Sequence, residues 1–583
     1  MSDYRKKHTG RWIFLLLILA LFVSCGSEPA IEETDSSAAE QTVAETTPPE
    51  PVYRTLTLAG EPVSAYSFRY GTFVNPEAAQ AFADYLSSEF GMREGEDGVV
   101  FDLSVSVKTS GQASAVVDGN VVTVSAGSNG GLSVVFDRIM EQCGILPDAD
   151  AEAPVALESA VEAEYTYTLF ETDGPAESYK LTARTDKDPT SYVVGEPMQF
   201  YFELTCNGEV VPCTEMRCSV HTDEGYIDVT LAPGEDGRFY YTHTMSKPGC
   251  IEVRILARGD VLGQNGMGYF KGKLVEKAVS ACADFDKINV AYEEPTDFDA
   301  FWEKAMAKLE GIDPRDAEVT EYLPGSEYGR EGYRVYHVKV PTDKDPAVGF
   351  LTIPENAEPG TLGIRMNFIG YGNGKAGPGT NPNAITFNVC AHSIDCDIDQ
   401  EKFDAIFNAR NLYSYGLSSS DYRNPQNAYF AGMIKRNVQA LRYAETLPEW
   451  DGENVYAGGM SQGAFQSVSL AALCPEVNEL YLEVPWMCNL GVNKAKNIPS
   501  DLTPAYTRNV LYFDTVFFAR RISGASVTMK VGMTDNLAPI TGTTALFNNL
   551  RGCDRSATFY QSVGHGGWKD TSEAYVKEAS AES

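Results

Sequence analysis

Residues 454–474, NVYAGGMSQGAFQSVSLAALC, constrain the fold more than any other stretch of the chain. The first six residues read as a short buried strand, and from Gln462 onward small and apolar residues run on as in a buried helix. Gly459-Met460-Ser461-Gln462-Gly463 lies between the two. A serine at such a junction sits on a turn tight enough to strain its backbone, and a glycine two residues to either side leaves room for that turn. A chain with 51 glycines also produces this pattern by accident. Its surroundings must decide whether Ser461 is a nucleophile or only part of a strand–helix junction.

From about residue 278 strands and helices alternate. DFDAFWEKAMAKLEGI reads as an amphipathic helix, YRVYHVKVPT and AVGFLTIPE pair as strands, and LGIRMNFIGYG is a buried strand ending in a Gly-rich loop. NAYFAGMIKRNVQALRYAETLP puts Phe430, Ile434, Val438 and Leu441 on one helical face, and LYLEVPW and SVTMKVGMTD add strands. This alternation predicts a mainly parallel sheet with flanking helices, with chemistry at the C-terminal ends of its strands.

A serine nucleophile needs a general base, which in practice is a histidine. The chain has six: His8, His221, His243, His337, His392 and His565. Where the nucleophile stands on a Gly-x-Ser-x-Gly turn, the acid and then the histidine follow it in the chain. Only His565 follows Ser461. It sits in the Gly-flanked loop YQSVGHGGWKD, after the apparent strand ATFYQSV. The acid between them should follow a strand, which favours Asp535 in SVTMKVGMTDNLAPI over Asp514, Asp554 and Asp570. Its work would be to hold the His565 tautomer and stabilise the imidazolium. Two backbone N–H groups should receive an oxyanion, those of Gln462 and of Tyr371 in FIGYGNG.

Residues 284–583, on the segments DFDAFWEKAMAKL, FIGYGNG, NVQALRYAETLPEWDGENVYAGGMSQGAF, EVPWMCN, VGMTDNLAPITGTTALFNNL and VGHGGW, resemble the acetyl xylan esterase / cephalosporin-C deacetylase family of carbohydrate esterases. The resemblance implies an α/β-hydrolase that removes acetyl groups from O-acetylated xylo-oligosaccharides and small esters without a metal or other cofactor. The family usually carries an Arg-Gly-Gln-Gly motif between the oxyanion loop and the elbow. Here that region reads FNARNLYSYGLSSSDYRNPQ and lacks it, so the resemblance leaves open both the oligomeric state, a hexamer in the family, and the exact substrate. Two alternatives remain: another serine hydrolase, such as a feruloyl or glucuronoyl esterase or a peptidase, and a non-catalytic surface glycan-binding protein.

The rest of the chain sets the context. Its 583 residues are too many for one core. The net charge of −35 makes nucleic acid and anionic membrane surfaces unsuitable partners, since both require a basic footprint. Arg5, Lys6, Lys7 and Arg11 precede WIFLLLILALFV and then Ser24-Cys25-Gly26. A basic segment, a short apolar run and small residues form a secretory signal. The ending LFVSC resembles a bacterial lipobox, so Cys25 is the expected lipidation site and the only tie to a membrane, in the periplasm or at the cell surface. Residues 26–52 are acidic and rich in Ser, Thr and Pro, a composition that stays disordered.

Residues 53–150 read as a small α+β domain. Residues 151–277, with short strands and Asn-Gly, Asp-Gly and Pro-Gly turns, read as an immunoglobulin-like β-sandwich. Phe200, Tyr201, Phe202, Tyr240 and Tyr241 could line a sugar-binding face on that sandwich or fill its core. Leaving out Cys25, the eleven other cysteines make no CxxC pair and no zinc pattern. Cys206, Cys213, Cys218 and Cys250 fall together in the β-rich region, but spacing does not assign disulfides among them.

Overall fold

The computed structural model describes residues 53–582 apart from 72–73, 75, 96, 106–111, 128, 145–153, 158, 165–178, 211–215, 224, 257–260, 263–267, 271–272, 275, 491–506 and 569–572. The expected leader, Cys25 and the acidic tether lie outside the described residues, as do Cys213 and Asp570. Among the described residues no helix is long and apolar enough to cross a membrane.

The first layer is α+β. The helix Gln80–Phe90 buries Phe82, Leu86 and Phe90 along one face and stops at Gly91, whose φ of 61° suits a residue without Cβ. Phe82 stacks on Phe136 of the helix Asn129–Gly144 at 4.6 Å and meets Phe101 of the sheet edge-on at 5.1 Å. The sheet has six strands, and Ala160–Glu164, beyond the boundary expected at 150, completes it.

Two antiparallel sheets follow. One contains Tyr179–Thr185, Pro197–Cys206, Glu209–Val210 and Phe239–Thr244; the other contains Met216–Thr222, Gly225–Leu231, Gly249–Leu256 and Glu276–Ala283. A single buried cluster draws Phe200, Phe202 and Leu204 from the first and Val220, Ile251, Val253 and Val279 from the second. Of the five aromatics read as either a sugar-binding face or core, Phe200 and Phe202 are therefore core and Tyr241 packs against it. Strand alternation turns Tyr201 and Tyr240 to the other side, where their rings meet at 5.5 Å.

The C-terminal half holds a ten-stranded sheet, its strands numbered here in chain order: β1 (Glu318–Tyr322), β2 (Tyr333–Val340), β3 (Ala347–Pro354), β4 (Leu362–Phe368), β5 (Ala384–Val389), β6 (Trp450–Met460), β7 (Val477–Glu483), β8 (Ser523–Gly532), β9 (Gly552–Tyr560) and β10 (Ala574–Ala579). The spatial order is β1-β2-β3-β5-β4-β6-β7-β8-β9-β10. β5, β4, β6, β7, β8 and β9 run parallel, while β1 to β3 and β10 are antiparallel flanks. The sheet is thus mixed around a parallel centre, where the sequence predicted a mainly parallel one. β3 is buried on both faces along most of its length, as a strand covered by helices must be.

Helix α1 (Phe298–Met306) packs Phe298, Phe301 and Trp302 inward. Helices α2 (Gln400–Ala409), α3 (Tyr429–Ala444) and α4 (Gln462–Leu473) follow. α3 buries Phe430, Ile434, Val438 and Leu441 as its spacing predicts, and α4 is buried all round over Gln462–Ala471, the mark of a central helix.

α3 ends on a carboxylate that the fold does not favour. Burial, and then the charge of Glu476, push Glu445 up to about 7, with Arg442 offsetting part of this. It also stands at the helix C-terminus, where the peptide dipole repels an anion. A carboxyl whose folded pKa is raised contributes stability that is full below its unfolded value and is lost as pH rises through the folded one. Thermal unfolding should therefore show Glu445→Gln melting a few degrees above the wild type at pH 8, with the gap closing by pH 4. A constant gap across that range would mean that ionisation of Glu445 is not the cause.

Candidate active site

Ser461 is the one residue between β6 and α4, with φ 57° and ψ −116°. A side chain in such a conformation costs about 1–3 kcal/mol and persists only where its surroundings impose it. Here they do: the Ser461 N–H donates to the Glu483 carbonyl at 2.8 Å, and its own carbonyl accepts from Phe465 at 3.2 Å and from buried Trp486 at 3.3 Å.

The flanking glycines are present because backbone passes too close for anything larger. A Cβ on Gly459 would lie 2.7 Å from a Gly463 backbone carbon and from the Phe368 carbonyl oxygen; one on Gly463 would lie 2.3 Å from that same oxygen. Gly463→Ala should therefore destabilise the fold by about 1–3 kcal/mol, the usual cost of overpacking. Because Phe368 leads into the loop carrying Tyr371, ester turnover should fall as well. Urea unfolding and turnover of a small acetyl ester check both, and unchanged values for the two would disprove the close approach.

Two later loops meet each other next to Met460, the residue before the serine. Gly532 ends β8, and a Cβ there would be 2.0 Å from the Gly564 carbonyl oxygen, so the loops after β8 and β9 run in contact. Their backbones join through Met533 N–H to Tyr560 (3.0 Å) and Thr534 N–H to Val563 (3.0 Å). Asp535 is buried and accepts from the N–H groups of Leu537 (2.8 Å) and Ala538 (2.9 Å) on Oδ1; on Oδ2 it accepts from Nδ1 of His565 at 2.7 Å. Two fixed backbone donors leave the second oxygen one direction to face. Met460, the residue before Ser461, closes the group: its Cε would touch a Cβ on Gly566, next to His565, at 2.8 Å.

The rival acids have other duties. Asp514 caps helix α5 (Thr515–Ala519) through Val516 N–H (3.0 Å) and accepts from Asn489 (3.0 Å) and Leu490 (2.8 Å). Burial pushes it up to about 6. It holds the turn after β7, where Met487 and Asn489 both have positive φ. Asp554 accepts from the Ala581 N–H at 2.9 Å, beside the last strand.

The loop after β4 lies beside the start of α4, where Gln466 Nε2 donates to the Ile369 carbonyl at 3.1 Å. Among the described residues, the N–H groups of Tyr371 and Gln462 donate to no internal acceptor. The loop has a support that the sequence did not reveal. Tyr415 stacks on Tyr371 at 4.3 Å and accepts from the Gly372 N–H at 3.0 Å. His392 donates from Nε2 to the Gly372 carbonyl at 2.7 Å and accepts at Nδ1 from the Tyr429 hydroxyl. Burial lowers its pKa to about 4, so at neutral pH the ring is uncharged and can fill both roles at once.

The antiparallel sheets reach the same loops. Asp223 accepts from the Thr541 hydroxyl at 2.8 Å, in the first turn of helix α6 (Ile540–Asn549), just beyond Asp535. Gln561, four residues before His565, donates to the Thr185 hydroxyl at 2.5 Å, and Ser562 donates to the Ala183 carbonyl at 3.3 Å.

The strand order and the seat of Ser461 put the C-terminal half in the α/β-hydrolase class. The family model for acetyl xylan esterase (AXE1) matches residues 283–580, just over half of the chain. The chain belongs to that family and is a serine carboxylic-ester hydrolase, an esterase of the acetyl and carbohydrate type. Acetyl esterase Axe7A of Xylanibacter ruminicola is 26% identical over 332 residues, covering 52% of this chain and 68% of the relative. Among solved structures, acetyl xylan esterase 1 of Thermoanaerobacterium sp. aligns at 18% identity and a TM-score of 0.41, over 49% of this chain and 93% of the other. The acetyl xylan esterase of Paenibacillus sp. R4 aligns at 21% and 0.40, over 48% and 93%.

Proposed function

We propose that the protein removes O-acetyl groups from xylan-type oligosaccharides or related acetylated sugars, with Ser461, His565 and Asp535 as its catalytic triad. His565 Nε2 takes the Ser461 proton as Oγ attacks the acetyl carbonyl. The N–H groups of Gln462 and Tyr371 receive the oxyanion, worth about 10²–10³-fold in rate per donor. The sugar hydroxyl leaves with the proton from His565, and water, activated by the same imidazole, then cleaves the acetyl-enzyme. Asp535 keeps Nδ1 protonated so that Nε2 is free to accept. The observation that carries this reading is Ser461, held on a strained turn beside a loop whose histidine is bonded to a buried carboxylate.

The chain's setting is part of the same proposal. The leader directs export, Cys25 takes a lipid, and residues 26–52 tether the protein in the periplasm or at the cell surface. The strands through Glu164 form an accessory α+β domain, those from Tyr179 to Ala283 an immunoglobulin-like sandwich whose last strand crosses the boundary expected at 277, and the chain beyond them the catalytic domain. The antiparallel pairing and the shared core of the two middle sheets support the sandwich.

The test is acetate release by the full chain from acetylated xylan and from a small acetyl ester. Turnover of both supports the glycan reading. Cleavage of the small ester alone would retain the chemistry and remove xylan as substrate; cleavage of neither would overturn the acetyl assignment.

A further inference from the structure

We infer that Cys250 and Cys282 form a disulfide whenever the chain folds in the presence of a disulfide oxidant. They are direct partners on the antiparallel strands Gly249–Leu256 and Glu276–Ala283. In such a ladder, opposed residues either exchange two N–H···O bonds or exchange none, and side chains approach more closely in the second kind. This pair is of the second kind. The Cys250 N–H donates to the Asp223 carboxylate at 3.0 Å and the Cys282 N–H to the Pro189 carbonyl at 2.7 Å, each turned away from the other residue. Both thiols are fully buried, with their sulfurs in contact at 2.6 Å. Facing Cβ vectors at close range are what a bridge requires.

The position gives the bridge a use. Asp223, which accepts from the Cys250 N–H, also accepts from Thr541 at the start of α6. The partner strand offers the Ser280 carbonyl to Gln561 at 3.4 Å, just ahead of the His565 loop. A covalent tie between these strands fixes, relative to each other, the supports of the acid loop and of the imidazole loop. That consequence rests on the proposed catalytic roles; the bridge itself does not.

In the reaction, the two thiols reduce one disulfide of a dithiol oxidoreductase or of a small-molecule oxidant. The S–H bonds of Cys250 and Cys282 and the oxidant's S–S bond break. One S–S bond forms in the protein, and the two protons leave on the oxidant's sulfurs. In the cell this depends on export, because such oxidants act outside the reducing cytosol.

The full chain is reduced, unfolded, and refolded with oxidised and reduced glutathione, then acid-quenched, alkylated and digested without reductant. Mass spectrometry should find the Cys250 peptide joined to the Cys282 peptide. Alkylation of both, or Cys250 joined to another cysteine, would overturn the inference. As a second readout, reductant should lower the melting temperature of the oxidised wild type by several degrees and leave a Cys250→Ala/Cys282→Ala variant unchanged; equal shifts would count against the bridge. A bridge that forms with glutathione but is missing from full chain purified from its own cells under acid quench would refute its meeting an oxidant there and leave the pairing intact.

Discussion

Ser461→Ala is expected to lower acetate release by on the order of 10⁴- to 10⁶-fold, the loss seen when a hydrolase of this type loses its nucleophile. Alanine retains a Cβ, so the turn at φ 57° stays as strained as before. The neighbouring contacts, the Glu483, Phe465 and Trp486 backbone bonds, do not involve the hydroxyl. Stability should thus stay within about 0.5 kcal/mol of the wild type, and a bound oligosaccharide should dissociate as before. Acetate assays paired with thermal unfolding separate the two quantities. More than a hundredth of the wild-type turnover in a folded variant would remove Ser461 as the nucleophile.

Asp535→Asn should cost about 10⁴-fold in kcat, for a reason visible in the hydrogen bonds. The amide oxygen can still accept from Leu537 and Ala538, which occupy Oδ1 in the native protein. The amide nitrogen must then face Nδ1 of His565, where the carboxylate now accepts at 2.7 Å. An NH₂ group in that place donates instead. It forces the proton onto Nε2, and the imidazole can no longer take one from the serine. The loss should fall on kcat far more than on KM, and steady-state kinetics on a small acetyl ester measure both. A loss under tenfold would pass the role to another acid, with Asp514 the first to test.

Much of this site could be read from the chain because its parts are tied to local geometry. The spacing of Gly459 and Gly463 around Ser461 follows from how closely two backbones pass, and the order of Ser461, Asp535 and His565 follows from how successive strands deliver their loops to one edge. The support beneath Tyr371 left no such mark. His392 is a single histidine in CAHSID, and its function depends on Gly372, 20 residues before it, and Tyr429, 37 residues after it. The stretch YSYG, which supplies Tyr415, looked only like the place where an expected motif was missing. Strand order was equally hidden: β5 is six ordinary residues, and its insertion between β3 and β4 is decided by pairing and not by composition. The aromatics of the middle sheets divide between core and surface because alternation along a strand sends neighbours to opposite faces, so the core reading holds for Phe200 and Phe202 and not for Tyr201 and Tyr240.

The hydrogen bonds of Asp223 with Thr541 and of Thr185 with Gln561 bear on how such a protein can be inherited. Family similarity begins at residue 283, but both of these partners lie before it. A gene cut at that point would carry every residue of the proposed triad and leave behind two of the anchors under its loops. Recombination that shuffles the esterase half onto a new neighbour would leave the Thr541 hydroxyl and the Gln561 amide without these two partners. The unit that similarity detects is therefore smaller than the set of residues that holds these two loops in this chain.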